Sequence, residues 1–440
     1  MKKSKKGTNM NDPQSDNSGM DIRVFFRKVG AYFNTEPQKE RVLRHEDFNA
    51  AGDVYYASVS AHYKIAQRIL VLFLVFFFVI SIIANFNEIT YDNFYYLLKD
   101  FTSAADAGNN YYEILSYESD SRQRFTLYRG GIASVSPSRI SIFTATGRRT
   151  LNETSGFSSP FVISSDKYVL FYDTAGNTFS IYNSFARVYT EKLPYPVKCA
   201  SLAKDGSFAV AAKADTGFWT VRIYTKNFKL KSEIESYEHI FGICLDSDAQ
   251  KLVLSTYDAG NGTGRTGVTV YDLSKMSDKK GNDITVENEL IFDGEFPLKA
   301  GFVGKNHSLV IVTDRYIRVF DDEYNENIKS SDYSDQNVTG YYLDEYGVAI
   351  SLVDSAVGKI MYYNGHGDVM SEHNVDHIVS DISLYEDFVF LQTNEGVVRI
   401  EQKTKNEQFL NSGSGKMLIY NEKTVLVCGE SKAEYLIFKE

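Results

Sequence analysis

Cysteine, proline and tryptophan are scarce in this chain of 440 residues, which holds three Cys, seven Pro and a single Trp. Cys199, Cys244 and Cys428 stand far apart with no CxxC pair. This excludes a disulfide-framed scaffold and paired-thiol chemistry, and leaves the three as buried small residues. Positive charge is short as well. The 47 Lys and Arg face 57 Asp and Glu, and the formal net charge of −10 does not suit a general nucleic-acid binder. Catalytic signatures are also missing. No Gly-x-Ser-x-Gly elbow, HExxH pair, Walker loop or sialidase-type Asp box occurs, so neither enzymatic activity nor a cofactor is expected. Aromatic residues, in contrast, are abundant: 31 Tyr and 30 Phe in a chain that is 43% hydrophobic. That content excludes disorder throughout and favours β structure.

The charge changes sign along the chain. Residues 1–68 carry 12 Lys and Arg against 8 Asp and Glu, a net +4, which leaves −14 for the rest. The reversal falls at Ile69–Ala84, sixteen residues without a charge. Extended to 65–86, this stretch spans a hydrocarbon core of about 30 Å as one helix. Ile69, Phe73, Phe76, Phe77, Phe78, Ile80 and Ile83 are its lipid-facing anchors. Lys64 and Arg68 precede the span, whereas Glu88, Asp92 and Asp100 follow it. The positive-inside rule therefore places residues 1–64 in the cytoplasm and exports everything beyond the span. The expected localisation is the cell membrane, crossed once, with the lipid bilayer as the first partner.

Within the leader, residues 1–20 are polar and read as disordered. Ile22, Phe25, Phe26, Val29, Tyr32 and Phe33 recur at helical spacing beside Arg23, Arg27 and Lys28. Residues 21–34 thus form a possible amphipathic helix for the anionic inner leaflet or a cytoplasmic partner. Residues 35–64 carry no recognisable motif, and 87–110 read as a juxtamembrane stalk.

From residue 111 to 440 one phrase recurs: apolar, any residue, β-branched, aromatic. It stands at Ile140–Phe143, Phe179–Tyr182, Val221–Tyr224, Val268–Tyr271, Ile317–Phe320, Ile360–Tyr363, Val398–Glu401 and Tyr435–Phe438, with Glu401 and Tyr362 departing from it. Its third residue advances by 39, 42, 47, 49, 43, 38 and 37. A second apolar run such as Tyr168–Tyr172 or Leu309–Val312 precedes most copies. A period near 40–45 with several strands per unit marks a β-propeller blade. The expected fold is all-β: a propeller of eight, alternatively seven, four-stranded blades behind one transmembrane helix. The apolar runs read as the inner strands and the mixed ones as outer. The last repeat lacks an outermost strand, which Tyr111–Tyr117 can supply from the other end of the chain.

A basic leader, one anchor helix and this repeat array together resemble bacterial single-pass membrane-anchored WD-like or PQQ-like β-propeller proteins of unknown function. Lys204-Asp-Gly206 and Ser165–Tyr168 look like turns of such propellers. No Gly-His…Trp-Asp pair accompanies each blade, and Trp219 alone cannot form the tryptophan-docking pattern of quinoprotein dehydrogenases.

Three constellations invite chemistry. Gly262–Gly267 matches G-x-G-x-x-G but lies between two strands, where no helix N-terminus can hold a pyrophosphate, so it reads as a hairpin loop. His366, His373 and His377, with Asp368, Glu372 and Asp376, are the candidate metal ligands, weighed against a solvated inter-blade loop. Asp321–Glu323 with Glu326, Asp332 and Asp335 lacks the ligand ladder of a calcium loop and reads as surface. The expected function is an extracytoplasmic binding or scaffold module for an envelope protein or cell-envelope polymer. Two other readings are a transmembrane sensor with a cytoplasmic partner and a propeller hydrolase or lyase acting on envelope glycan.

Overall fold

The structure is a computed structural model that describes residues 50–84, 115–120, 122–260, 262–274, 284–304, 307–326, 330–354, 357–364, 371–376 and 378–439. The segments 21–34 and 87–110, and the end of the expected span at 85–86, lie outside the described residues. What is described falls into two units, a helix and a ring of strands.

Helix α1 runs from Ala50 to Ala84. It begins fifteen residues before the expected start at Ile65, because nothing from Asp53 onward breaks it. Ala57, Ala61 and Ala66 are strong helix formers. Its stretch His62–Ser81 is long and apolar enough to cross a membrane. Ile69, Phe73, Phe76, Phe77, Phe78 and Ile80 all expose their side chains there, and Ile83 lies in the same helix.

The ring has eight four-stranded antiparallel sheets, which decides eight blades over seven. Strand β1 (Leu115–Ser116) precedes blade 1, made of β2 (Arg124–Tyr128), β3 (Gly131–Val135), β4 (Arg139–Phe143) and β5 (Arg149–Thr154). Blades 2 to 7 follow at 160–192, 197–236, 239–293, 297–332, 337–375 and 379–411. Blade 8 takes three strands from 416–437 and its outermost from β1, with Leu115 opposite Ala433 and Ser116 opposite Lys432. The ring's first and last strands thus share one sheet, and the ring has no open blade.

The recurring phrase marks the third strand of every blade. The apolar run before it is the second strand, an inner strand as expected, and one further strand lies inside it. The innermost strands are the first of each blade, which pack side by side around the axis from β2 back to Lys416–Ile419. Sequences such as Val197–Leu202 and His239–Leu245 are only partly buried there. The reason is geometric: second strands are covered on both faces by adjacent blades and on both edges by their own sheet, whereas first strands border the axis. Val169–Asp173 and Thr424–Cys428 are accordingly buried throughout.

The core consists of layers between blades. Val169, Phe171 and Tyr182 of blade 2 pack on Ala133, Val135, Ile140 and Ile142 of blade 1. Each such side chain contributes about 1.5–3 kcal/mol by leaving water. The seam between blades 8 and 1 is built from smaller means: Leu115, Ile132, Leu426, Cys428 and Ala433. Tyr117 fastens it, its hydroxyl donating to the carbonyls of Gly429 (2.7 Å) and Lys432 (2.9 Å).

Candidate functional site: two faces of the ring

Alternating strand direction puts each blade's first and third turns on one face, and its second turn and the link to the next blade on the other. On the first face, the turns of different blades are tied together. Arg129 Nε donates to Asp166 O at 3.2 Å, Lys204 N to Ser247 O at 3.3 Å, and Gly304 N to Glu345 O at 2.9 Å. The Lys204 ammonium of blade 3 also pairs with the Glu345 carboxylate of blade 6. Partial desolvation works against that charge, but the bond to Glu345 and the nearby Asp166 and Asp248 carry Lys204 above the ordinary lysine range. Turns of blades 2, 3, 4 and 6 therefore converge on one cation, which draws that end of the axis together.

The second face is aromatic between blades 3 and 5. Phe218 stacks edge-on to Tyr237 at 5.4 Å, and His239 lies 5.0 Å from Trp219 and 5.2 Å from Phe241. Phe241 meets Tyr257 at 5.9 Å and Phe296 at 4.7 Å. Tyr237 is 87% exposed and Phe241 40% exposed, although an aromatic ring gains most when buried. Polar groups rim the cluster: Arg265 pairs with Glu238 (3.6 Å) and Asp258 (3.9 Å). Thr256 Oγ1 donates to Glu238 Oε2 at 2.6 Å.

A repeated irregularity re-aims one of these rings. The innermost strands of blades 3 to 7 each shift register at their second or third residue, which is Lys198, Phe241, Leu298, Thr339 and Ser380 in turn. A bulge turns a side chain out of the ladder's alternation, and bulges gather at functional rims. Thr339 and Ser380 turn back to carbonyls of their own sheets, Ser351 O and Gln392 O. Only in blade 4 does this position hold an aromatic ring.

The expected constellations fall elsewhere. Gly262–Gly267 runs from the hairpin after Lys251–Asp258 into the first residues of the strand Arg265–Asp272, so it is a hairpin between strands, as expected. Gly264 leaves room for the Tyr257 ring, whose hydroxyl would lie 2.0 Å from a Cβ there. His366 and His377 lie outside the described residues. His373 belongs not to a loop but to the outer strand Ser371–Val375 of blade 6, where it pairs with Glu407 of blade 7. Among the described residues no group of three His, Cys, Asp or Glu could hold a metal ion. In the acidic loop, Asp321 Oδ1 accepts from the backbone N–H groups of Glu323 (3.0 Å) and Asn325 (2.8 Å), and Glu326 pairs with Arg318 at 2.7 Å. All three thiols are free, and burial pushes Cys199 up to about 12.

A partly open cleft of about 230 Å³ lies at the seam of blades 8 and 1, and five of its twelve lining residues are serines. Nothing in the sequence reading pointed to it or to the aromatic cluster.

The family described as "Family of unknown function (DUF5711)" matches residues 108–435, and the chain belongs to that family. No curated protein matches it. Among solved structures it is similar to the Dos1 propeller, with 10% identity and a TM-score of 0.50 over 74% of this chain and 96% of that one. It is also similar to BamB from Moraxella catarrhalis (11% identity, TM-score 0.48, 74% and 98% of the two chains). A chain of the mitotic checkpoint complex matches at 12% identity and a TM-score of 0.44, over 68% of this chain and 94% of that one. At such identities the likeness is one of fold.

Proposed function

We propose that this member of the family is a non-catalytic binding module, held at the membrane by α1, whose ring docks a protein partner on the aromatic face of blades 3 to 5. The observation that carries this reading is the continuous cluster of Phe218, Tyr237, His239, Phe241, Tyr257 and Phe296, in which Tyr237, His239 and Phe241 are exposed and the other three half-buried. Protein-binding hot spots have this make-up: rigid aromatics at the centre, an arginine beside them and paired charges at the rim. Arg265, Glu238 and Asp258 supply the rim.

The anchoring part of the proposal rests on the apolar stretch His62–Ser81 and on the charges that flank it. By the positive-inside rule these charges support a cytoplasmic N-terminal side and an exported ring. Absence of catalysis is proposed because no nucleophile elbow, metal-ligand spacing or phosphate loop occurs in the sequence.

A photo-crosslinking amino acid at position 237, compared with one at position 204 on the opposite face, tests the docking site in the native cells. A partner captured at 237, absent at 204 and lost on Phe241→Ser, is the expected result. Equal capture from both faces, or capture that survives Phe241→Ser with the melting temperature unchanged, refutes the assignment.

A further inference from the structure

Blade 1 departs from the other seven at one buried position. The second residue of the recurring phrase faces a residue of the second strand, and across the blades that partner is Phe171, Val210, Leu254, Ile311, Ile350, Phe390 and Val425 in blades 2 to 8. All seven are buried and apolar. In blade 1 the partner is Ser134, opposite Ser141. Blades 2 to 6 and 8 fill this place with a branched or aromatic side chain, and in blade 7, where Phe390 turns toward blade 8, Val389 and Leu391 take that side; blade 1 alone leaves the volume empty and lines it with hydroxyls.

The empty volume is the cleft at the closing seam. Its floor is Ser134, Ser141 and Phe143, and its mouth is set by Glu118, Asp120 and Arg149. Ser134 is 2% exposed and Ser141 7% exposed, yet among the described residues neither hydroxyl has a hydrogen-bond partner. A buried hydroxyl is ordinarily paired, so two that open into one cleft await groups from outside the chain. The mouth is already organised. Arg139 pairs with Glu118 at 3.1 Å, and Asp120 accepts from the backbone N–H of Ser138 at 3.3 Å and from its hydroxyl.

We propose that this cleft binds a single neutral sugar residue, either free or at the end of a glycan. Serine hydroxyls both donate and accept, which matches ligand hydroxyls that do the same. Two carboxylates and two guanidinium groups balance in charge, so the site selects no ion. The space of about 230 Å³ is below the roughly 300–1,000 Å³ of sites for larger ligands, which limits the occupant to one ring. Phe143 offers an apolar wall to the C–H face of that ring. The site lies on different blades from the aromatic cluster, and it stands or falls independently of it.

Saturation-transfer NMR on the full chain, held in a detergent without a sugar headgroup, tests this with glucose, galactose, mannose, N-acetylglucosamine and their oligomers, and with glucuronate as the charged comparison. At least one neutral monosaccharide should give transfer at millimolar concentration, and oligomers that bind tighter would place the glycan end as the source. Ser134→Val installs the residue that blades 3 and 8 carry. It should weaken binding tenfold or more while leaving the melting temperature equal or higher. Ser141→Ala, which removes a hydroxyl without filling the space, should weaken binding less. No transfer from any neutral sugar, transfer from glucuronate alone, or transfer that persists in Ser134→Val overturns the proposal. A Ser134→Val protein that is more stable while the wild type binds nothing identifies the cleft as a water-filled packing defect.

Discussion

Ring closure rests on very little chain, which makes its energetics testable at one residue. Among the described residues, strand β1 pairs only Leu115 and Ser116 with the last strand, yet Leu115 is 1% exposed and inserted among Ile132, Leu426, Cys428 and Ala433. Truncating a leucine so buried costs about 2–5 kcal/mol, through lost transfer energy and the cavity left behind. Tyr117, Phe125, Leu127, Leu418 and Tyr435 pack against this cluster and can relax partly into the space, so a value near 3 kcal/mol, in the lower half of that range, is expected for Leu115→Ala. A ring of roughly 325 residues unfolds with an entropy of about 0.7 kcal/mol/K, so the melting temperature should fall by about 4 °C. Ser116→Ala, exposed one residue away, should move it by less than about 1 °C. Calorimetry on the two variants reads the difference directly. If Leu115→Ala melts within about 1 °C of wild type, the ring does not depend on β1, and the shared sheet is not what closes it.

Two further perturbations follow. Glu295 is buried and accepts from Arg318 (2.6 Å) and Thr313 Oγ1 (2.9 Å), so Glu295→Gln should cost about 2 kcal/mol, less than a fully stranded charge because Arg318 keeps Glu326. A shift of the urea midpoint too small to resolve would show that the pair is idle. Burial raises the Asp344 carboxyl to about 6, against the opposing hydrogen bond from Tyr342 and the nearby Lys299. The folded state therefore holds a proton that the unfolded carboxyl releases near 3.9, and stability drains as pH rises from about 4 to 6 and is level above. Asp344→Asn should flatten that slope and stabilise the protein at pH 8; an unchanged pH profile in denaturant unfolding would assign the slope to other groups.

The phrase that betrays the fold is legible because it combines two constraints in four residues. Strands like Val221–Tyr224 alternate toward neighbouring blades and end in an aromatic that packs across the interface, so the same residue types return each time. The closing strand was legible for the complementary reason, a blade short of one strand at one end of the chain and a spare apolar segment near the other. Innermost strands were not, because segments such as Val197–Leu202 border the axis and carry a mixture with no period of their own. The early start of α1 escaped notice because Ala50–Lys64 has helix propensity but no apolar stripe to announce it.

Sites on a repeat protein arise where the repetition fails, and failure is visible only after the copies are aligned in space. Gly131–Val135 reads as one more apolar strand, and Ser134 within it is an ordinary residue until the register sets it opposite Ser141 and beside seven apolar equivalents. Phe241 is likewise one aromatic among many until the bulge shared by five blades shows which side chain each presents at that point. The aromatic cluster draws on residues from 218 to 296, which the links between three blades bring together. The same regularity that makes the scaffold readable therefore hides the sites. Aligning every second strand on the pairing register of the third would have exposed Ser134 without coordinates, since the pairing, unlike the loops, repeats in all eight blades.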